Sequence, residues 1–129
     1  MAAILSTLGV MAVLDGFWLG VVARKFYRRH LGGVMAESPR WLPAVLFYLL
    51  YAVGVWYFVV DPAVQISDPE QAAVRGAFLG LLAYGTYDLT NMATLKNWPL
   101  IVTVVDMAWG AVMTAAVGWA ATFVALQVA

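Results

Sequence analysis

Four apolar runs divide this chain, and each is long enough to cross a bilayer as a helix. A span needs about 20 mostly apolar residues, and the runs lie near Ala3–Ala23, Trp41–Val60, Ala72–Leu95 and Pro99–Val124. They are rich in Ala, Leu, Met and Gly and lack the alternation over about ten residues that marks barrel strands. The pattern predicts an all-α polytopic membrane protein, a bundle of four transmembrane helices that forms one domain over residues 1–129.

Composition supports the same class. Of the 129 residues, 64% are hydrophobic and only 11% are charged, and the mean hydropathy is +0.87, whereas roughly a quarter of the residues of a soluble protein are charged. So few charges beside a bilayer argue against nucleic-acid binding. The absence of cysteine excludes disulfides and thiolate chemistry.

The charged residues divide unequally between the predicted loops. Six of the seven basic residues lie in the first loop, residues 24–40, or in the turn between the third and fourth runs; they are Arg24, Lys25, Arg28, Arg29, Arg40 and Lys96. Cytoplasmic loops carry such an excess of Lys and Arg. We therefore expect loop 24–40 to be cytoplasmic and both termini to lie outside. The first run precedes its basic residues, so we expect it to be retained as a span rather than cleaved as a signal peptide.

Small residues recur at every fourth position in three of the runs. This spacing lets helix backbones approach closely, and it could serve packing within the chain or a homodimer equally well. The residues concerned are Gly16 and Gly20, Gly76 and Gly80, and Gly110, Thr114 and Gly118.

Three aspartates lie deep inside the predicted spans. Asp15 is nine residues before Arg24, Asp88 is eight before Lys96, and Asp106 is ten after Lys96. At about 1.5 Å per residue, each carboxyl is roughly 12 to 15 Å from its helix end. That depth is near the middle of a hydrocarbon core about 30 Å thick, so we expect the three carboxyls to converge.

Other polar and aromatic residues fall at the same level or on the same helix faces. Helical spacing puts Tyr84, Tyr87 and Asn91 in one stripe with Asp88, and Thr103 on the face of Asp106. The second run contributes two phenols, and two Asp-x-x-Trp motifs in the first and fourth runs match each other. The further members of the predicted substrate, cation or proton site are Tyr48, Tyr51, Trp18 and Trp109.

Burying three aspartates is costly. Each opposes membrane insertion by about 2.5 to 3.5 kcal/mol, so the three together cost roughly 8 to 10 kcal/mol, as much as the whole net stability of a typical domain. Protonation could relieve this cost, and so could a bound cation. Oxygen ligands alone would favour a hard metal ion on Asp15, Asp88 and Asp106, although no metal motif of known spacing is present. The remaining alternative is purely structural hydrogen bonding between helices.

Three segments carry a resemblance to a known family. The sequences "LDGFWLG", "YDLTNMATLKNWP" and "VDMAWG" resemble the signature of a domain-of-unknown-function family of small bacterial four-helix inner-membrane proteins. The resemblance covers nearly the whole chain. It implies a multi-pass protein of the bacterial inner membrane with a single domain.

Two functional classes remain open from the sequence. One is a proton- or cation-coupled binding or transport protein, because intramembrane ionisable residues usually mark sites or pathways. The other is a membrane-embedded enzyme that acts on a lipid or isoprenoid chain with one carboxylic acid and one carboxylate. The expected partners are the lipid bilayer itself and a small cation or a lipid ligand. The sequence specifies no cofactor, and whether the protein is an enzyme stays undecided.

Overall fold

The computed structural model describes residues 1–35 and 40–128. Over these ranges the chain forms four helical segments joined by short connections. The first and second segments each contain a π-helical stretch, while the third and fourth are single α-helices. In chain order the elements are α1 Ala2–Phe17, a π-helical stretch Trp18–Ala23, α2 Arg24–Leu31, α3 Trp41–Val55, a π-helical stretch Trp56–Val60, α4 Asp61–Gln65, α5 Pro69–Thr94 and α6 Leu100–Val128.

Three of the four segments are long and apolar enough to span a membrane. They correspond to Ala2–Gly20, Trp41–Gln65 and Leu100–Val128. The all-helical class is therefore confirmed, but these criteria identify three spans rather than the expected four. Helix α5 is the exception, because the polar residues Thr86–Asn91 lower its mean hydropathy although it is 26 residues long.

The expectation that residues 24–40 form a loop is wrong over the first part of this segment. Residues Arg24–Leu31 continue the first segment as α2, because Lys and Arg are good helix formers and no glycine interrupts the run before Gly32. Residues 36–39 of that loop lie outside the described part of the chain.

Local sequence signals explain the two turns between the later helices. Ser67 adopts a left-handed backbone conformation, and the Asp68 side chain caps α5 by accepting a hydrogen bond of 3.2 Å from the Gln71 backbone N–H. Pro69 then occupies the first helical position, where its missing N–H costs little. Between α5 and α6, Asn97 supplies the left-handed residue, which asparagine tolerates better than most residues do.

Helices α5 and α6 pack together along a glycine seam, which we define as Gly76, Gly80, Gly110 and Gly118. A Cβ atom added at Gly80 would overlap the carbonyl of Gly110, and one added at Gly76 would overlap the carbonyl of Thr114. At Gly118 the added Cβ would lie 2.8 Å from the Ala72 carbonyl oxygen. The small residues predicted in these two helices therefore do allow close approach of the backbones.

The first segment, the carboxyl-terminal half of α3 and the π-helical stretch that follows α3 pack against α6 and complete the core. Met11, Val55, Val59, Met113 and Val117 are all buried there. In contrast, residues 41–50 at the amino-terminal end of α3 are exposed except for Tyr48, which is half-buried. This half of α3 therefore leaves part of the bundle's flank uncovered.

The packing role predicted for Gly16 and Gly20 is wrong within this chain. A Cβ atom at either position would meet nothing within 4 Å. Gly16 and Gly20 are four residues apart, as the packing pattern requires, but both lie on an exposed face of the first segment. Thr7 and Met11 occupy its buried face.

We expect Gly80→Ala to destabilise the bundle by about 1 to 3 kcal/mol, the usual cost of overpacking, because its methyl group would press on the Gly110 backbone. The measurement is unfolding of the purified protein by sodium dodecyl sulfate in mixed micelles. Gly16→Ala is the matched control, because it also replaces a helical glycine but enters open space. Equal stabilities of the two variants would contradict the seam.

Candidate functional site

Helix α5 presents its polar stripe mostly toward α6. Asp88 is fully buried, Tyr84 and Asn91 are half-buried, and the Tyr84 ring packs over Gly110 at the glycine seam. Tyr87 departs from the prediction, since 59% of its surface is exposed. It follows Tyr84 by three residues and lies at the edge of the stripe, where its ring packs edge-on against Trp98 at 5.9 Å.

Asp88 and Asp106 form the centre of the site. Their carboxyl groups face each other between α5 and α6. Asp106 is 7% exposed and accepts a hydrogen bond from the Tyr27 hydroxyl. Neither carboxyl oxygen of Asp88 has a hydrogen-bond partner among the described residues, although such buried groups are nearly always paired.

Asp15 supplies the third carboxyl from α1. It is half-buried and lies beside Trp109 of α6. Trp18, one turn further along, stacks on Trp109 with ring centroids 4.4 Å apart and planes 8° from parallel. Asp15 and Trp18 thus lie on the side of the first segment that meets α6.

We define the acid cluster as Asp15, Asp88 and Asp106. Tyr84 lies near two of these three residues. It is within electrostatic range of both Asp15 and Asp106, and also of Tyr48 and Tyr51. Asp15 and Asp106 thus both lie near Tyr84, and Asp88 faces Asp106. Among residues 1–35 and 40–128, no three His, Cys, Asp or Glu side chains lie close enough together to hold a metal ion.

The tyrosines of α3 border the cluster on its other side. The Tyr51 hydroxyl shares a hydrogen bond of 2.8 Å with Thr114 of α6, and its ring meets that of Tyr84 edge-on at 6.3 Å. The Tyr48 hydroxyl is buried without a hydrogen-bond partner in the described structure. It lies within electrostatic range of Asp15.

Thr103 lies one helical turn from Asp106 and is already engaged. It accepts a hydrogen bond of 3.0 Å from the Trp98 indole N–H and donates a weak one of 3.8 Å to the Met92 sulfur. Its hydroxyl therefore fixes the α5–α6 turn rather than extending toward the acids.

A cleft of about 380 Å³ leads from the flank of the bundle to Asp106. Its walls come from four helices, and its residues are Tyr27, Phe47, Ala83, Tyr84, Tyr87 and Asp106. Phe47 and Tyr87, at 56% and 59% exposure, mark its outer edge. The cleft lies beside the exposed half of α3, so it opens sideways from the bundle.

Three residues of this cleft are not among the site residues expected from the sequence: Tyr27, Phe47 and Ala83. Tyr27 lies in the segment expected to be a loop, yet α2 continues the helix and brings its hydroxyl to Asp106. The only sequence signal was an aromatic pair, Phe26 and Tyr27, inside a basic run. The π-helical stretch Trp18–Ala23 shifts the phase, so a regular helical count from Trp18 would not have pointed to Tyr27.

The chain belongs to the family described as "Predicted membrane protein (DUF2177)", whose model matches residues 1–123. This match confirms the resemblance drawn from the three span motifs. No curated protein and no solved structure matches the chain.

We expect Tyr27→Phe to destabilise the protein by about 1 to 3 kcal/mol, because the carboxyl group of Asp106 would lose its hydrogen-bond donor while remaining buried. Thermal melts of the purified protein in detergent would measure the effect. Tyr57→Phe is the control, since Tyr57 is 62% exposed. A Tyr27→Phe protein as stable as Tyr57→Phe would show that the contact contributes nothing.

Proposed function

We propose that this member of the predicted membrane protein family crosses the bilayer four times and uses Asp88 and Asp106 as a proton-linked binding site for an amphiphilic molecule. The observation that carries the proposal is the fully buried Asp88 carboxyl, which has no hydrogen-bond partner in the described structure and faces a second carboxyl. Intramembrane ionisable residues commonly mark substrate and proton pathways.

The packing of α5 supports the proposed four-span topology. This helix is 26 residues long, about 39 Å at 1.5 Å per residue, and it lies against α6 along the glycine seam. Helix α6 is itself long and apolar enough to span. We infer that α5 crosses with α6, which protects its polar stripe from lipid.

We further infer that the end of the bundle with the basic residues faces the cytoplasm of a bacterial inner membrane. Cysteines introduced at Arg28 and Ser67, both exposed, should react with an impermeant maleimide from opposite sides of sealed vesicles. The Arg28 position should react only from the cytoplasmic side. Reaction of both from one side would disprove the four-span arrangement.

A proton is the simplest partner for the Asp88–Asp106 pair. Two ionised carboxyls side by side in an apolar bundle repel each other strongly, and the Tyr27 hydroxyl can donate to only one of them. One shared proton removes the repulsion and supplies a hydrogen bond. A ligand with a cationic or hydrogen-bond-donating head group could replace that proton, so its binding would be linked to pH.

The cleft defines the route by which such a ligand would reach the pair. It opens on the flank of the bundle, where Phe47 and Tyr87 would contact lipid chains. A molecule dissolved in the bilayer could insert its polar head toward Asp106 and leave its apolar part between α3 and α5. This geometry favours an amphiphile over a free metal ion.

The same cleft also favours a second candidate, a membrane-embedded enzyme acting on a lipid or isoprenoid chain. Asp106 and its Tyr27 donor would then act as the acid–base groups. Turnover of an added lipid, lost in Asp106→Asn, would distinguish this activity from reversible binding.

We expect the melting temperature of the wild-type protein to fall as pH rises from 5 to 9, and to change much less in Asp88→Asn. The folded protein would hold a proton on the pair that the unfolded chain releases, so its stability is lost as pH rises. Asparagine is neutral at every pH, so the variant has no shared proton to lose. Glu70→Gln is the control, since Glu70 is an exposed acid of α5 and its loss should preserve the wild-type profile.

Carbodiimide labelling gives a second readout for the same proposal. A lipophilic carbodiimide should modify Asp106 through the cleft, whereas a water-soluble one should react far less with it. If Asp88→Asn had the wild-type pH profile and neither reagent modified Asp106, the carboxyls would serve only as structural groups between the helices.

A further inference from the structure

A second cavity lies at the basic end of the bundle, away from the acid cluster. Its volume is about 460 Å³, and it forms where the end of α2 and its following turn meet the turn between α5 and α6. The lining residues that matter here are His30, Leu31, Val34, Leu95, Lys96 and Trp98. Among the described residues that line it, none is acidic.

One of these residues gives the cavity a positive charge. Lys96 brings an ammonium group from the α5–α6 turn. His30 places its Nδ1 atom 2.9 Å from the Phe26 carbonyl oxygen, so Nδ1–H can donate to the backbone of its own helix. Arg28 and Arg29 precede His30 on the exposed surface of α2 and strengthen the positive potential.

The other walls are apolar. Val34 is 76% exposed and Leu95 is 50% exposed, while Leu31 is half-buried between them and the helix end. The Trp98 indole N–H is already used by Thr103, so Trp98 offers its ring face rather than a donor. Tryptophan rings prefer the head-group level of a bilayer.

We propose that this cavity binds an anionic phospholipid, with its phosphodiester on Lys96 and the first part of an acyl chain on Leu31, Val34 and Leu95. A cation beside an apolar wall at the membrane surface matches the two parts of such a lipid. A soluble anion would use the ammonium group but would leave the apolar wall exposed. The site is independent of the acid cluster, and its occupancy requires no proton transfer there.

The test is native mass spectrometry of the full chain, purified in detergent and titrated with dioleoylphosphatidylglycerol. We expect this lipid to bind more tightly than dioleoylphosphatidylcholine, whose head group has no net charge. Lys96→Gln should weaken phosphatidylglycerol binding about fivefold, the effect of removing one cation near a membrane surface. Lys96→Arg should retain it.

Lys25→Gln is the matched control, because Lys25 is an exposed lysine of α2 that does not line the cavity. Unchanged binding in Lys25→Gln together with weakened binding in Lys96→Gln supports the site. Equal losses in both variants would mean diffuse surface attraction and would overturn the proposal. So would equal binding of the two lipids, or displacement of phosphatidylglycerol by inorganic phosphate alone.

Discussion

The close approach of α5 and α6 is the constraint on which the rest of this structure depends. Helix α5 carries a polar stripe with a fully buried aspartate, Asp88, so it needs a partner helix that covers this side chain. The glycine seam provides that partner by letting the two backbones come into contact at Gly80 and Gly110. Larger residues there would separate the helices, and the stripe would then face lipid or water instead of α6.

The close packing of α5 and α6 also brings the two carboxyl groups at the centre of the candidate site together. Because the helices touch, Asp88 and Asp106 face each other, and Asp88 is fully buried. Among the described residues, Tyr27 of α2 donates to Asp106, whereas neither carboxyl oxygen of Asp88 has a partner. The packing that stabilises the bundle therefore also leaves the Asp88 carboxyl without a hydrogen-bond partner in the described structure.

Much of this arrangement could be predicted from the sequence, because depth and helical phase follow directly from residue spacing. The shared depth expected of the three aspartates and the polar stripe of α5 both follow from it. Tyr27 could not be placed, since a π-helical stretch changes the phase by an amount that no local residue pattern fixes. Gly16 has the correct spacing for packing but lies on an exposed face, because spacing does not tell which face of a helix meets a neighbour.

The two Asp-x-x-Trp motifs acquire a physical meaning once α1 and α6 are seen together. Residues late in the first segment contact residues early in α6, so the two helices run antiparallel. In that arrangement Trp18 and Trp109 stack face to face, and Asp15 lies beside Trp109. Asp106 has the corresponding position near Trp18, but there Tyr27 intervenes and donates to it. The two tryptophans therefore have nearly equivalent positions in the α1–α6 contact, whereas Asp15 and Asp106 have different hydrogen-bond partners. Of these two aspartates, Asp106 is the one that faces a second carboxyl and also lines the cleft. For this reason we propose the binding site at Asp106 rather than at Asp15.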